Sequence, residues 1–312
     1  MHRELVYAGV DVAKATLVIH FDGHDRRFAN TPEGCQQLLA WVTHQRSDIA
    51  LACEATGGYE QTLVQVALAA QVPCAVLQPT RCRYYAKAIG QLAKTDPIDA
   101  KLIARMANAI QPAPKLLADQ SQQQLSLMVN QRQQLQRQLQ PLKNQLTQQP
   151  AAACFQRLLA AYQKELDLLQ EQIDQLLCAC QPLQNKVHRL CQIQGVSLLT
   201  ATALLAHLPE LGTLSERQIS ALAGLAPYAK DSGLVHGKRF IQGGRPAPRL
   251  ALYMAALSAS RYNPILKTFY LRLRANGKPA KVALTALMRK LLCLANLLIK
   301  NPNFTLAPHH SC

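Results

Sequence analysis

Apolar residues fall in short runs over the first hundred positions, and the runs are cut by polar turns. The stretches "ELVYAGVDVAK" (4–14), "ATLVIHF" (15–21) and "RRFAN" (26–30) follow one another closely and predict three strands in an antiparallel meander. "TPEGCQQLLAWVTHQ" (31–45) switches to helical spacing, with Thr31 as cap, Pro32 in the first turn and Glu33 behind it. "DIALACEATGG" (48–58) reads as a buried strand stopping at Glu54 and a glycine pair. "YEQTLVQVALAAQ" (59–71) predicts a helix, "PCAVLQP" (73–79) a strand and "KTDPIDAKLIARMA" (94–107) a helix capped by Thr95 or Asp96, with Pro97 at its first position. The order is three strands, helix, strand, helix, strand, helices. It is that of an α/β RNase H-like fold.

Beyond position 118 the pattern changes kind. "DQSQQQLSLMVNQRQQLQRQLQPLKNQLTQQP" (119–150) is glutamine-rich, with leucines at 125, 135, 139, 142 and 146. A second stretch spaces Phe155, Leu158, Tyr162, Leu166, Leu169, Ile173, Leu176, Cys180 and Leu183 by threes and fours. The two predict an antiparallel helical hairpin or coiled coil, kinked at Pro141 and turning back at "TQQPAAA", with a low-complexity disordered tract as the plain alternative. Such an arm points to self-association. From 191 the chain is mainly α. "IQGVSLLTATALLAHL" (193–208) resembles a helix-hairpin-helix with Ser197 in place of the second glycine. "SERQISALAGLAP" (215–227) starts a further helix at Ser215, a glycine-rich basic loop or short hairpin follows, and "YLRLRANGKPAKVALTALMRKLLCLANLLI" (270–299) reads as a basic turn and an amphipathic helix. Three parts result: 1–118, 119–190 and 191–312.

Charge sharpens that division. The 312 residues carry a net charge of +16, and 49% are hydrophobic, enough for a packed core. Residues 1–118 hold 12 Lys/Arg against 10 Asp/Glu, residues 119–224 hold 8 against 7, and residues 225–312 hold 14 against 1. So basic a tail points to a polyanion, and nucleic acid is favoured over a membrane surface. No run reaches about 18 uninterrupted apolar residues, and "MHRELVYAGVDVAK" is too polar for a signal peptide, so the expected location is the cytoplasm. The ten cysteines are expected to be reduced and mostly buried. Cys178, Cys180, His188 and Cys191 lack the usual paired spacing of a zinc site and are read as core packing.

Four acids carry the candidate chemistry. Asp11 interrupts an apolar strand, Glu54 ends another, and Asp96 and Asp99 sit a turn apart at the start of a helix. The two helical acids could simply complement the helix dipole. A strand carboxylate between Val10 and Val12 is harder to explain without a ligand. In an RNase H-like fold the first and fourth strands are neighbours, so the four could converge on hard cations, Mg²⁺ or Mn²⁺. Two such ions about 4 Å apart can flank a phosphodiester.

"GVDVAK" with Asp11, "CEATGGYE" with Glu54 and "KTDPIDAKLIA" with Asp96 and Asp99 resemble the DEDD motif. That motif marks the RuvC-like domain of a bacterial insertion-sequence transposase family that also contains Piv-type DNA invertases. "LAGLAPYAKDSG", "GKRFI", "ALYMAALSA" and "RLRANGKPAKVALTALMRKLL" resemble the same family's transposase domain. The two prolines of "GGRPAPRLALY" depart from the family's pattern and shift the expected helix start. The resemblance implies a DNA recombinase with a serine nucleophile at Ser232, forming a phosphoserine link with help from the metal site. It also implies guidance by a noncoding bridge RNA that pairs with donor and target DNA. Assembly as dimers or tetramers is implied too, with active sites shared between protomers, in a bacterial, nucleoid-associated setting. Lys238, Arg239, Arg245 and Arg249, with Lys278, Lys281 and Arg289 further on, are the expected phosphate contacts. Two other classes stay open: a metal-dependent junction nuclease in which Ser232 is structural, and a non-catalytic nucleic-acid-binding protein.

Overall fold

Strand pairing in the first part of the chain is set by alternation and by one turn. β1 (Val6–Val12) and β2 (Thr16–Phe21) run antiparallel, and β3 (His24–Ala29) folds back on β2. The two-residue β2–β3 loop is Asp22-Gly23, both at positive φ (48° and 79°), the mirror-image turn that matches strand twist. The computed structural model describes residues 5–91, 93, 95–114, 120–148, 153–229, 231, 237 and 239–306. It divides the chain into two units, Met1–Leu117 and Ala118–Cys312.

In the first unit α1 (Pro32–Gln45) follows β3, and Thr31 caps it by accepting the Gly34 amide. β4 (Ile49–Glu54), α2 (Gln61–Ala69), β5 (Cys74–Leu77), α3 (Pro79–Ala88) and α4 (Asp96–Ile110) complete it. The five strands lie in the order β3-β2-β1-β4-β5, with β1, β4 and β5 parallel and β2 antiparallel to β1. This is the RNase H-like arrangement. One sheet face packs Ala8, Val10, Val12, Leu51 and Cys53 against Leu38, Leu39 and Leu63. The other packs Tyr7, Ala50 and Ala52 against Cys82 and Ile103. Each fully buried Leu or Ile contributes about 1.5–3 kcal/mol.

The second unit is helical apart from a two-residue ribbon. α5 (Gln120–Gln148) runs through Pro141 without ending, and α6 (Ala153–Ala179) packs along it, with Tyr162 donating to Gln138 at 3.1 Å. The buried seam of α6 is Leu166, Leu169, Ile173 and Leu177, one position off the expected Leu176. The expected stripe also breaks at Cys180: Pro182 stands at the start of a separate helix, α7 (Gln181–Cys191), which it fits because its missing N–H would be unpaired there anyway. Residues 149–152, where the reversal was expected, lie outside the described ones.

α8 (Leu198–His207) follows a turn in which Gly195 has φ +105° and Ser197 accepts the Thr200 amide. α9 (Glu216–Leu222) opens with a reciprocal Ser215–Gln218 capping box. β6 (Pro227–Tyr228) pairs with β7 (Phe240–Ile241), as a short hairpin would. α10 (Pro246–Tyr262) starts at the first of its two prolines, and α11 (Pro264–Ala275) and α12 (Ala280–Lys300) close the unit. α12 is the one described helix long and apolar enough to cross a membrane. Half of its apolar window is buried, and Leu287, Leu291, Leu292, Ala295 and Leu298 line the core, so it is read as a core helix.

The cysteines depart from expectation. Cys35, Cys53, Cys74 and Cys82 are buried and free, but Cys154, Cys178 and Cys191 are exposed and Cys180 is half-buried. Cys178 and Cys191 therefore do not pack in the core. They sit on the solvent flank of their helices, where a three-four count cannot separate seam from edge.

Candidate active site

The first unit's acids are placed by register. Val10 pairs with Cys53 across β1 and β4, so Asp11 and Glu54, each one residue further, end adjacent parallel strands side by side. Alternation puts both on the Tyr7–Ala52 face of the sheet. Asp11 is the sixth of the seven β1 residues and is half-buried, rather than buried and unpartnered as its apolar flanks implied.

α4 lies on that same face, antiparallel to β1. Gln111 and Leu5 exchange two hydrogen bonds of 3.1 and 3.0 Å, and Asn108 and Tyr7 exchange two of 2.9 and 2.8 Å. At Gly9 the helix comes so close that a Cβ would stand 2.1 Å from the Ala100 carbonyl oxygen and 2.3 Å from the Ala104 nitrogen. Following that progression one step further along β1 brings Asp11 toward the first turn of α4, which carries Asp96 and Asp99. Thr95 stands at the cap position without a side-chain cap bond.

Neighbouring side chains complete the surroundings. Asp11, Val18 and Arg27 form one cross-strand row, and Arg27 reaches over to Asp96 at 3.2 Å. Both partners are half or more exposed, and exposed pairs of this kind contribute little. Cys82, on α3, is buried against Glu54. Burial, then the charge of Glu54 and the hydrogen bond to it, pushes its thiol up to about 12, so it stays an S–H donor to that carboxylate. The loop after Glu54 is organised by Glu60, which is 6% exposed. Its Oε2 accepts from the Thr56 amide (3.1 Å), the Gly58 amide (2.9 Å) and the Thr56 hydroxyl (3.2 Å). Burial alone would raise this carboxyl, but the donors outweigh it and hold the pKa below the ordinary 4.5. Asn30 ties the loop to the end of β1 by donating to the carbonyls of Ala13 and Tyr59 at 2.9 and 3.0 Å.

Glu60, Asn30, Cys82 and Arg27 were not foreseen as parts of the site. Only "ATGGYE" carried a signal: an acid behind a glycine pair, where the turn's amides need an acceptor.

Among the described residues no three His, Cys, Asp or Glu side chains gather closely enough to hold an ion as they stand. The donor set nonetheless fits a hard divalent cation. Asp11 and Glu54 share one face and all the candidate donors are carboxylate oxygens, the ligands hard cations take, while Arg27 against Asp96 is a cation that an ion there would have to displace.

The second unit's candidates stand differently. Ser232 and Lys238 lie outside the described residues. Asp231 accepts from the Gly237 amide and from both terminal nitrogens of Arg239, at 2.6 and 3.0 Å. Arg245 makes a two-pronged pair with Glu210, both contacts at 2.7 Å, and donates to the His207 carbonyl. Arg249 donates to the Gly243 carbonyl. Lys278 and Lys281 are exposed, and Arg289 is half-buried.

Residues 8–149 match a family described as Transposase, the DEDD type of IS110 elements, and residues 187–271 match the "Transposase IS116/IS110/IS902 family". The chain belongs to the IS110 family of transposases. This transposase is 29% identical over 311 residues to the Pilin gene-inverting protein of Moraxella bovis, covering 94% of its own chain and 95% of the other. The protein of the same name from Moraxella lacunata matches to the same extent. The Insertion element IS110 uncharacterized 43.6 kDa protein of Streptomyces coelicolor is 31% identical over 149 residues, 47% of this chain and 36% of that one. Among solved structures, the Thermus thermophilus RuvC structure covers 35% of the transposase and 99% of its own chain, at 17% identity and a TM-score of 0.26. The protein is thus an enzyme of DNA transposition and recombination.

Proposed function

We propose that this transposase cuts and rejoins DNA through a phosphoserine intermediate formed by Ser232, on a site assembled by Asp11, Glu54, Asp96 and Asp99. The single observation that supports this most is the Asp11–Glu54 pair near the ends of adjacent parallel strands, on the face against which α4 packs at Ala100 and Ala104. In this reading the four carboxylates hold Mg²⁺ or Mn²⁺, with Arg27 giving Asp96 up. The ion supplies charge stabilisation to the scissile phosphate when bound. The Ser232 oxygen bonds to phosphorus, the bond to the leaving deoxyribose oxygen breaks, and the serine's proton ends on that oxygen. Glu60 and Asn30 keep the Glu54 loop in place.

Residues 119–190 act as a coiled-coil arm in a dimer or tetramer, and 191–312 act as the transposase part, completing the site of a neighbouring protomer. Lys238, Arg239, Arg245, Arg249, Lys278, Lys281 and Arg289 contact phosphates of donor and target DNA. Three of them would first leave their present partners. A noncoding RNA from the element guides pairing, and the enzyme works in the bacterial cytoplasm at the nucleoid.

The test uses full-length protein with element-end DNA, the transcribed flanking RNA and Mg²⁺. A covalent protein–DNA adduct is expected, lost in Ser232→Ala, and Asp11→Asn is expected to bind DNA while losing about a thousandfold in strand cleavage. Ser232→Ala protein that still cuts would instead favour the metal-dependent nuclease. Undiminished cutting by Asp11→Asn would remove the carboxylate site.

A further inference from the structure

The sequence assigns the cationic surface to the tail, but one helix of the first unit carries a basic face of its own. No acidic residue occurs between Glu60 and Asp96, a stretch that holds Arg81, Arg83, Lys87 and Lys94. The first three lie on α3, all exposed, and none of them pairs with a carboxylate among the described residues. Arg83, Tyr84 and Lys87 follow the i, i+1, i+4 spacing of a single helical stripe, with Arg81 at its margin. Tyr84 is 63% exposed, whereas its neighbour Tyr85 is half-buried against the core. A large aromatic ring offered to solvent among three cations is the composition of a base-stacking platform beside a backbone track.

The position of this face follows from α3's other side. Gln78, at the α3 cap, is next to Leu77, which pairs with Glu54 across β4 and β5. One turn in, Cys82 is buried and hydrogen-bonded to Glu54. The inner side of α3 therefore touches Glu54, one of the proposed active carboxylates, while its outer side presents the cations and the ring.

We propose that α3 is a docking ridge for an unpaired segment of nucleic acid. Arg81, Arg83 and Lys87 hold its phosphates and Tyr84 stacks on a base, which brings the strand to the carboxylate edge. This rests on the reading of Asp11 and Glu54 as the reacting centre. An unpaired strand is favoured over a duplex because the ring needs an exposed base face. It is favoured over an acidic protein surface because acids give a tyrosine nothing to stack on. An acidic face that could compete is that of α6 in a second copy, where Asp167, Glu171 and Asp174 fall on one side of the helix.

The experiment reads binding, not chemistry, with full-length protein in EDTA and a fluorescein-labelled single-stranded DNA of about 16 nucleotides. Affinity is followed by anisotropy between about 50 and 200 mM salt. Replacing Arg81, Arg83 and Lys87 together by Gln is expected to reduce the salt slope by about 2, at roughly 0.7 per phosphate contact. Tyr84→Ala is expected to weaken single-strand binding roughly tenfold at unchanged slope, with duplex binding hardly moved. Wild-type slope and affinity in both variants would overturn the ridge. So would a triple variant that changes only the mass seen by light scattering, since α6 of a second copy would then be the occupant. Because variants can misfold, the wild-type protein gives an independent readout. Ultraviolet cross-linking of an iodouracil-substituted strand should map to the Tyr84 peptide, and cross-links confined to residues 225–306 would refute the proposal. Loss of cleavage in Asp11→Asn alongside negative α3 results would sink the ridge alone and leave the catalytic reading standing.

Discussion

The two units use their charges in opposite ways. Residues 1–118 are close to neutral, with 12 basic against 10 acidic residues, yet among the described residues the first unit leaves α3's three cations without carboxylate partners and sets Asp11 and Glu54 together where two interior strands end. The tail, with 14 basic residues against 1, commits many of its cations to its own structure. Arg239 is held by Asp231 and Arg245 by Glu210. Even upstream, Arg189 donates to the carbonyls of Leu298, Pro302, Asn301 and Phe304, closing off the end of α12. A segment's net charge therefore does not say which charges are available to a ligand. Availability depends on the carboxylates and orphan carbonyls that folding brings alongside, some of them more than a hundred residues away.

The sharpest way to break this contrast is at Gly9. Gly9→Ala puts a Cβ against α4 backbone that has no flexible end to swing aside. We expect a loss of about 1–3 kcal/mol in the first unit's unfolding free energy. A fall in strand cleavage larger than that loss explains is also expected, because α4 must lift from the strand that carries Asp11. Chemical denaturation and a cleavage assay on the same protein check both; unchanged cleavage with lowered stability would separate packing from chemistry. Next in size is Arg245→Gln, which removes the two-pronged contact to the half-buried Glu210 and should cost about 1–2 kcal/mol in denaturant midpoint measurements. If instead stability is untouched and only DNA binding falls, that arginine is available after all, and the contrast between units narrows.

Acidification should separate the units by pH. His207, half-buried and faced by Arg245 and Arg137, has its pKa held below the ordinary 6.5, chiefly by that burial. Its folded-state pKa is depressed, so its contribution to stability is full above 6.5 and disappears as pH falls through the lower folded value. Glu60 behaves likewise from a lower start: its contribution is full above 4.5 and fades below that. Thermal melts across this range should lose second-unit stability before first-unit stability. The smallest effect is chemical. At mildly alkaline pH, Cys154 and Cys178 should alkylate in native protein, while Cys35, pushed up to about 11 by burial, and Cys82, at about 12, stay unlabelled until unfolding.

Much of the first unit was legible because its signals are local. Alternating strands and the helix starts at Thr31 and at Thr95 or Asp96 each announce themselves within a few residues. The Asp11–Glu54 neighbourhood followed from strand order alone. Long-range partners were not legible. Nothing near Arg245 points to Glu210, 35 positions earlier, and nothing near Asp96 points to Arg27. The heptad count over 155–183 also overran the break at Cys180. The stripe runs through Cys180 and Leu183 across Pro182, whose ring suits the start of a new helix. Surface cysteines on a helix flank defeat the same count, because a step of three or four is shared by seam and edge.

The absent side chain at residue 9 has a wider consequence. One hydrogen in place of a methyl is what lets a helix rest directly on strand backbone, and three of the four carboxylates proposed to react, Asp11, Asp96 and Asp99, sit on the two pieces so joined. Fit and chemistry are thereby bound to the same joint. Substitutions anywhere along the seam from Leu5 to Ala104 should be felt as misaligned acids well before the domain comes apart.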